Sequence, residues 1–243
     1  MRTLRFYWLL LLLLYQPVMS WAQPQDCVVL LHGLSRSSGS MSEMERKLQT
    51  AGFVVINIGY PSRESPVEML AQHAVEGGLR TCSEHAAERV HFVTHSLGSI
   101  LVRYYFKERV DSRLGRVVML GPPNQGAELV DALAEFPGFS LLNGPSVEQL
   151  GTGSNSFTNS LGAAPFELGV IAGDRSINPF FAALIPGPDD GKVSVESTRL
   201  EGMKDHLVMP VTHTWMMFNN EVIDQVINFL QLGHFIPPQA EVP

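Results

Sequence analysis

Apolar runs that alternate with helix-like segments place the strongest constraint on how this chain can fold. The first run, at 27–33, is continuously apolar, as expected of a strand that is buried on both faces of a sheet. The runs are "CVVLLHG" (27–33), "FVVINIGYP" (53–61), "RVHFVTH" (89–95), "GRVVMLG" (115–121), "FELGVIAG" (166–173) and, as a candidate last strand, "HLVMPV" (206–211).

Helical segments lie between these runs. One of them opens with Ser65 and Pro66, followed by Glu68, which is a typical helix start. The helices are predicted at 41–52, 65–82, 99–110 and 220–233. Strands that alternate with helices predict an α/β fold with a mostly parallel central sheet and helices on both faces.

Residues 122–165 do not follow this alternation and are predicted to form a lid-like excursion. Pro, Gly, Asn and Ser lie there between patches of Leu, Phe and Val, without a clear strand pattern. Long excursions in compact domains are usually functional covers or disordered segments. The apolar content favours an ordered, partly helical cover. The sequence shows no internal repeat, and residues 23–243 are expected to form a single domain.

The amino terminus has the pattern of an export signal. Arg2 and Arg5 precede a short apolar block that a proline interrupts, and Ser20 and Ala22 are the small residues that a signal peptidase reads. The apolar block is shorter than the roughly 20 residues of a membrane span. Residues 1–22 are therefore predicted to be a cleaved signal, with the mature protein in the periplasm or secreted. An uncleaved N-terminal anchor is the alternative.

Charge and cysteine content narrow the class of function. The chain carries 17 Lys and Arg against 24 Asp and Glu, a net charge of −7, without a basic cluster. This balance argues against nucleic-acid partners and against electrostatic binding to anionic lipid surfaces. Two cysteines, Cys27 and Cys82, suggest one disulfide in an exported chain, whereas two buried free thiols are the alternative.

The stretch "VHFVTHSLGSI" (90–100) carries the strongest chemical signal. A strand ends at Ser96 and a helical segment follows at once, which is the context of a nucleophile elbow of the G-x-S-x-G type. Such a turn projects the serine hydroxyl from the carboxyl edge of the sheet. Gly98 meets the requirement for a small residue after the serine, whereas Thr94 replaces the first glycine. The alternative is that Ser96 is an ordinary helix N-cap.

Two backbone N–H groups are candidates for an oxyanion hole. Leu97 follows the serine at the start of the predicted helix, where an N–H group can stabilise negative charge. Leu34 follows the first strand, and Gly33 before it permits a tight turn. His32 either holds this loop in place or is a plain buried histidine.

The motifs resemble those of α/β-hydrolases of the lipase and esterase group. The resemblance is to small bacterial triacylglycerol lipases and to the hydrolase domain of glycosylphosphatidylinositol deacylases, and it covers nearly all of 27–233. It rests on "VVLLHGL", "VTHSLGSI", "GPPNQGAELVD", "DDGKVSVES" and "VTHTWMM". Together these motifs are specific to the fold and to serine-based acyl transfer, but not to a substrate.

The resemblance implies a catalytic triad in the order serine, acid, histidine. His213 is the favoured base, because it lies between the last strand and the closing helix, where the family carries its general base. His206 is the alternative, but it starts the predicted last strand and so lies at the wrong end of it.

The acid is Asp190 or Asp174. Asp190 lies in "DDGKV", which resembles the Asp-Gly-x-Val stretch that carries the acid in bacterial lipases, and it is the favoured candidate. Asp174 directly follows a strand and is the alternative. Asp189 is expected to be a turn residue.

The fold that the resemblance implies also places the cysteines. The strand after Cys27 and the strand after Cys82 are then parallel neighbours, so both cysteines lie at the same edge of the sheet. We expect them to form a disulfide.

The resemblance and the triad together predict a serine hydrolase that cleaves lipophilic carboxylic esters through an acyl-enzyme on Ser96. No cofactor and no metal are expected. The apolar patch "FPGFSLL" (136–142) favours a lipophilic acyl group, with ordinary lid packing as the alternative. A small-molecule or lipid ester is the expected partner, with transient contact to a lipid surface and a monomeric state. An acyltransferase or thioesterase with the same triad, or a catalytically silent exported lipid-binding protein, are the alternatives.

Overall fold

The computed structural model describes residues 25–134, 136, 138–153 and 156–236 of this 243-residue chain. The described residues form one six-stranded sheet in which every neighbouring pair of strands is parallel. Its strands are β1 (Cys27–Leu31), β2 (Val54–Ile58), β3 (Val90–His95), β4 (Leu114–Leu120), β5 (Leu168–Gly173) and β6 (Met203–Met209). They lie side by side in the order β2-β1-β3-β4-β5-β6, which confirms the predicted parallel sheet.

Helices pack on both faces of this sheet. They are α1 (Ser42–Thr50), α2 (Val67–Glu84), α3 (Leu97–Phe106), α4 (Glu128–Ala134), α5 (Phe139–Asn143), α6 (Pro145–Glu148), α7 (Phe157–Ser160), α8 (Pro179–Ala182) and α9 (Asn220–Leu232). α2 and α3 bury their apolar side chains in one core layer, and α1 and α9 bury theirs in the layer on the opposite face. The predicted α/β class with helices on both faces is confirmed.

The closing helix α9 shows why these segments fold as they do. Asn219 caps its start, because the side-chain oxygen accepts a hydrogen bond from Val222 N at 3.0 Å. Gly233 ends it in a left-handed conformation with φ 81°. Between the caps, the buried side chains recur at helical spacing, which orients one face of α9 towards the sheet. They are Val222, Ile223, Val226, Phe229 and Leu230.

The strand order places two loops beside each other. From β1 the chain crosses to β2 at one side, and from β2 it returns past β1 to β3 at the other side. Ligand crevices of open parallel sheets lie at the carboxyl ends of the strands where the connections diverge in this way. The loop after β1 and the turn after β3 therefore meet at one crevice.

β6 begins earlier than predicted. The sequence predicts a strand at 206–211, whereas the structure has Met203–Met209. β6 is an edge strand and its residues are mostly half-buried, so charged residues such as Lys204 and Asp205 interrupt the apolar run that marks buried strands. Pro210 has no N–H to donate and follows the last strand residue. His206 therefore lies within the strand and not at its start.

Residues 122–165 contain short helices in their described part, namely α4 to α7. The prediction of an ordered, partly helical segment agrees with this. The predicted signal at 1–22 lies outside the described residues. Among the helices that are described, none is long and apolar enough to cross a membrane.

Cys27 and Cys82 form a disulfide, as predicted. Their Cα atoms are 5.8 Å apart, and the bridge closes a loop of 55 residues. Cys27 is the first residue of β1, and Cys82 lies in the last turn of α2. The bridge therefore joins the amino end of a central strand to the helix that packs over it.

The double variant Cys27→Ala/Cys82→Ala is expected to lose about 4 kcal/mol of unfolding free energy, because the unfolded chain is no longer held in a closed loop. Urea unfolding of the oxidised wild type and of the variant, followed by circular dichroism, measures this difference.

Reductant provides the control for that prediction. It should lower the unfolding midpoint of the wild type and leave the double variant unchanged. Two alkylatable thiols in protein prepared without reductant would contradict the disulfide.

Candidate active site

Ser96 lies in a strained turn between β3 and α3. Its backbone angles are φ 52° and ψ −119°, a region that residues with a side chain rarely adopt. The turn is held from both sides: Ser96 N donates to Leu120 O at 3.0 Å, and Ser99 N donates to Ser96 O at 3.0 Å. The Ser96 side chain makes no capping hydrogen bond to α3, which argues against the N-cap interpretation.

Gly98 and Thr94 flank this turn and are packed tightly. A Cβ atom at Gly98 would lie 2.7 Å from Leu31 O, so α3 can approach β1 only with glycine at this position. Thr94 is fully buried, and its Oγ1 hydrogen-bonds to Ser99 Oγ at 2.8 Å. The hydroxyl of Ser99 thus satisfies the polar group of the threonine that replaces the usual glycine.

His213 and Asp190 form a buried hydrogen-bonded pair. His213 Nδ1 lies 2.7 Å from Asp190 Oδ2, and His213 N donates to Asp190 O at 2.9 Å. The other carboxylate oxygen, Oδ1, accepts hydrogen bonds from Lys192 N at 3.0 Å and from Val193 N at 2.9 Å. With both oxygens bonded to nitrogen atoms of the protein, the carboxylate is fixed in orientation.

The two alternative residues lie elsewhere. Asp174 follows β5, as predicted, and its Oδ1 is 3.2 Å from Arg175 Nη1. His206 Nε2 hydrogen-bonds to Thr198 Oγ1 at 2.9 Å within β6 and its neighbouring loop. Among the described residues, no hydrogen bond joins either of them to His213 or to Ser96.

Two glycines make room for the His213–Asp190 pair. Gly121 follows β4 with φ 52°, and a Cβ atom there would lie 2.9 Å from Asp190 Oδ2 and 3.0 Å from His213 Nδ1. A Cβ atom at Gly173, at the end of β5, would lie 2.9 Å from Asp190 Cβ. Neither glycine was predicted to belong to the site, although each ends an apolar strand run.

Gly121→Ala is expected to lower kcat for ester hydrolysis by about 100-fold, because the added methyl group displaces a pair whose geometry determines the rate. The left-handed backbone adds a stability loss of about 1–2 kcal/mol. Initial rates on a soluble ester and a thermal melt measure the two effects.

Gly52→Ala is the matched control for this change. Gly52 also has a positive φ, 95°, but nothing lies within 4 Å of its added Cβ atom. Gly52→Ala should therefore lower the melting temperature and leave kcat unchanged. Equal rates for the two variants would contradict the packing role of Gly121.

His95 supports His213 from below. Its Nε2 donates to His213 O at 3.0 Å, and the two rings are 4.7 Å apart between centroids. Burial, and then the proximity of His213, holds the pKa of His95 well below its usual range. His95 is therefore neutral at neutral pH. His95 was not predicted to belong to the site, because it lies in the turn at Ser96 and not in a loop that could carry the base.

The loop that carries Leu34 is held by a histidine and a tyrosine. His32 Nδ1 donates to Gly33 O at 2.9 Å, its Nε2 accepts from Tyr60 N at 3.3 Å, and its ring stacks on that of Tyr60 at 4.0 Å. Burial lowers the pKa of His32 and raises that of Tyr60. His32 thus fixes the loop that carries Leu34. Among the described residues, neither Leu34 N nor Leu97 N has a hydrogen-bond acceptor, so both N–H groups are available to a ligand.

A cavity of about 240 Å³ brings these groups together. Ser96, His213 and Leu34 line it from the carboxyl edge of the sheet. Apolar side chains of 122–165 line much of the remainder, namely Leu129, Val130, Leu133, Phe139, Val147 and Leu150. A larger cavity of about 580 Å³ lies elsewhere and is lined by none of the predicted site residues.

Two sets of polar contacts anchor residues 122–165 to the rest of the domain. Arg103 of α3 donates to Asn124 O at 2.7 Å and to Thr158 O at 2.9 Å, and burial lowers its pKa to about 10. Glu128 of α4 accepts hydrogen bonds from Ser194 Oγ at 2.5 Å and from Ser197 Oγ at 2.6 Å. The second set joins the cover to the loop that carries Asp190.

Solved structures with the same fold are lipases, phospholipases and esterases. Lipase BlEst2 of Bacillus licheniformis in its mature form is 18% identical with a TM-score of 0.60, and the match covers 88% of this chain and 93% of that chain. Phospholipase PlaB of Legionella pneumophila is 16% identical with a TM-score of 0.67, over 86% of this chain and 59% of that one. Esterase Pf2001 of Pyrococcus furiosus is 18% identical with a TM-score of 0.56, over 86% and 83%.

The match to the Legionella phospholipase spans about three fifths of that protein. No protein-family model and no curated protein matches the sequence of this chain. At these levels of identity the structural matches report the fold and not the substrate. The chain has the α/β-hydrolase fold, as the resemblance of its motifs to lipases and esterases predicted.

Proposed function

We propose that this protein is a serine hydrolase that cleaves carboxylic esters through an acyl-enzyme on Ser96. The observation that carries the proposal is that Ser96 and His213 line the same cavity. Ser96 lies on a strained strand-to-helix turn, and His213 is hydrogen-bonded to a buried carboxylate. A turn of this kind and such a pair are the parts that nucleophilic acyl transfer requires. The lipase and esterase names of the structural neighbours support the same chemistry.

In the acylation step, Ser96 Oγ attacks the ester carbonyl carbon. His213 takes the serine proton at Nε2, because its Nδ1 is bonded to Asp190. The carboxylate of Asp190 keeps the ring in this tautomer and stabilises the imidazolium that forms. The N–H groups of Leu34 and Leu97 donate hydrogen bonds to the developing oxyanion.

The tetrahedral intermediate then collapses. The bond between the carbonyl carbon and the alcohol oxygen breaks, and His213 Nε2 returns the proton to the leaving alcohol. Water attacks the acyl-enzyme with His213 again as base, which releases the acid and regenerates Ser96. The neutral ring of His95 packs against His213 without adding a competing positive charge.

The apolar side of the cavity supports a lipophilic acyl group. Side chains from α4, α5 and α6 line it, and they belong to the segment predicted as a cover. We propose that this segment binds the acyl chain, as a hydrophobic wall favours burial of alkyl groups. The disulfide further supports work in an oxidising compartment outside the cytoplasm, where such bonds persist.

A fluorophosphonate probe and a panel of p-nitrophenyl esters graded by acyl length test the proposal. The wild type should react with the probe in a 1:1 ratio and release acid from the esters. Labelling without turnover in water, but with transfer to an added alcohol or thiol, would identify an acyltransferase instead. Absence of both labelling and turnover would leave a catalytically silent binding protein and overturn the proposal.

A further inference from the structure

The fixed charges that line the cavity are all positive. Arg36 and Lys192 line it beside Ser96 and His213, and within the described part of the chain no Asp or Glu lines it. This is unexpected for a chain with 24 acidic and 17 basic residues. Random placement of charge favours an acidic lining, so the cation pair calls for a physical reason.

The two cations are attached to the loops that carry the reaction. Arg36 is two residues beyond Leu34, in the loop after β1, and Lys192 is two residues beyond Asp190. Both loops are fixed at their backbones, since Ser35 N donates to Ser62 Oγ at 3.0 Å and Lys192 N donates to Asp190 Oδ1. Both residues retain solvent exposure, although protein atoms surround much of the Lys192 side chain. They can therefore contact a ligand in the cavity without movement of the main chain.

No carboxylate satisfies these charges. Among the described residues, neither Arg36 nor Lys192 forms a salt bridge. The charge of Asp190 acts on Lys192, but the two carboxylate oxygens of Asp190 already bond to His213 Nδ1 and to backbone N–H groups.

The cations also repel each other. Partial burial lowers the pKa of Lys192, and the charge of Arg36 lowers it further, while the charge of Asp190 raises it. The charges of Lys192 and Arg36 add to the burial and the His213 charge that lower the pKa of His95. Like charges at one site cost free energy unless an anion lies between them. The free protein thus holds a site that a bound anion would stabilise.

We propose that Arg36 and Lys192 bind a phosphate group on the alcohol side of the substrate, so that the preferred substrates are acyl esters of phosphorylated alcohols. This inference rests on the proposed function and names its substrate class. The guanidinium of Arg36 can bind two phosphate oxygens at once, and the ammonium of Lys192 supplies a second charge. The apolar wall of the cavity takes the acyl chain, so the cations are left for the alcohol portion.

The reaction leaves the phosphate unchanged. Ser96 Oγ bonds to the acyl carbon, the bond from that carbon to the alcohol oxygen breaks, and His213 protonates that oxygen. The phosphorylated alcohol leaves, and water completes the hydrolysis of the acyl-enzyme. The cations act on binding and orientation of the substrate.

Two matched ester pairs test the proposal. Decanoyl glycerol and decanoyl glycerol 3-phosphate form the lipid pair, and butyryl glycerol and butyryl glycerol 3-phosphate form the soluble pair. The wild type should have a kcat/KM at least about tenfold higher on the phosphorylated member of one pair or both. A preference in the lipid pair alone identifies a lipid headgroup, and one in both pairs identifies the phosphorylated alcohol itself. No preference in either pair overturns the proposal.

Charge-removing variants assign the preference to the two side chains. Arg36→Gln and Lys192→Met should each reduce the ratio of kcat/KM on the phosphorylated ester to that on the neutral ester by about tenfold. Arg89→Gln and Lys47→Met remove equal charges from residues outside the cavity and should leave this ratio unchanged. An equal loss on both esters would mean that Lys192 acts by holding the Asp190 loop, and would overturn the proposal.

A binding measurement separates this inference from the proposed function. Calorimetric titration of Ser96→Ala with decanoyl glycerol 3-phosphate should show binding that weakens with added salt, as ionic screening predicts. Removal of both cations in this background should weaken binding about 100-fold. Salt-sensitive binding without turnover by the wild type would refute the proposed hydrolase activity and leave the anion site standing. If decanoyl glycerol binds equally well and salt has no effect, the anion site is refuted and the proposed hydrolase activity is not.

Discussion

Ser96→Ala is expected to lower kcat for hydrolysis of a soluble p-nitrophenyl ester by about 10⁴-fold or more, because it removes the hydroxyl on which the proposed acyl-enzyme forms. The substitution removes one hydroxyl that makes no capping hydrogen bond to α3. Alanine retains the Cβ atom of serine, so the strain of the left-handed turn does not change. The melting temperature should therefore stay within about 2 °C of that of the wild type.

Ser37→Ala is the control for this prediction. Ser37 is an exposed serine on the loop after β1, and its side chain makes no capping hydrogen bond. Its replacement should leave both the rate and the labelling by a fluorophosphonate unchanged. Ser96→Ala protein that keeps more than a few per cent of the wild-type rate would show that the nucleophile lies elsewhere.

The central strands could be predicted from the sequence because they are buried on both faces. β1 consists of fully buried apolar residues, so its run continues without polar interruption, whereas β3 is equally buried but contains His91, Thr94 and His95. β6 was predicted three residues late, since an edge strand exposes part of its surface and its sequence mixes Lys204 and Asp205 with apolar residues. The bounds of β6 are set by its pairing with β5, and a local sequence pattern does not show this pairing.

The candidate site could be predicted in part. Ser96, Asp190 and His213 were named from local motifs. In the structure His213 is hydrogen-bonded to Asp190 and lines the same cavity as Ser96, and their roles remain predictions. Gly121 and His95 were not named, because their contribution depends on contacts through space. A glycine after a strand is common. Only the position of the Asp190–His213 pair shows that a side chain at Gly121 would collide with it.

The contacts that anchor 122–165 could not be predicted from the sequence either, because they too join residues that are distant along the chain. Arg103 is the one charged residue of a mostly apolar helix, and most of its partners are backbone carbonyl groups, which have no sequence signature. Glu128 pairs with Ser194 and Ser197, which follow it by more than 60 residues. Such contacts are specific to the folded chain and follow from the way 122–165 turns back over α3.

Asp190→Asn is expected to lower kcat by about 10⁴-fold. The amide can keep its Oδ1 as acceptor for Lys192 N and Val193 N, and this places the NH₂ group opposite His213 Nδ1. His213 then accepts a hydrogen bond at Nδ1 and carries its proton on Nε2. In that tautomer the ring cannot take the serine proton. Initial rates and the rate of fluorophosphonate labelling should fall together, while the melting temperature changes little.

Asp174→Asn provides the comparison that decides which acid serves His213. Asp174 is half-buried after β5, its carboxylate lies beside Arg175, and it is not hydrogen-bonded to His213 among the described residues. Its replacement removes the same charge near the same edge of the sheet, so it should change kcat by less than about tenfold. A large loss for Asp174→Asn with a small one for Asp190→Asn would reverse the assignment. It would also mean that His213 changes partner when substrate binds, because the free protein bonds His213 to Asp190 alone of the two.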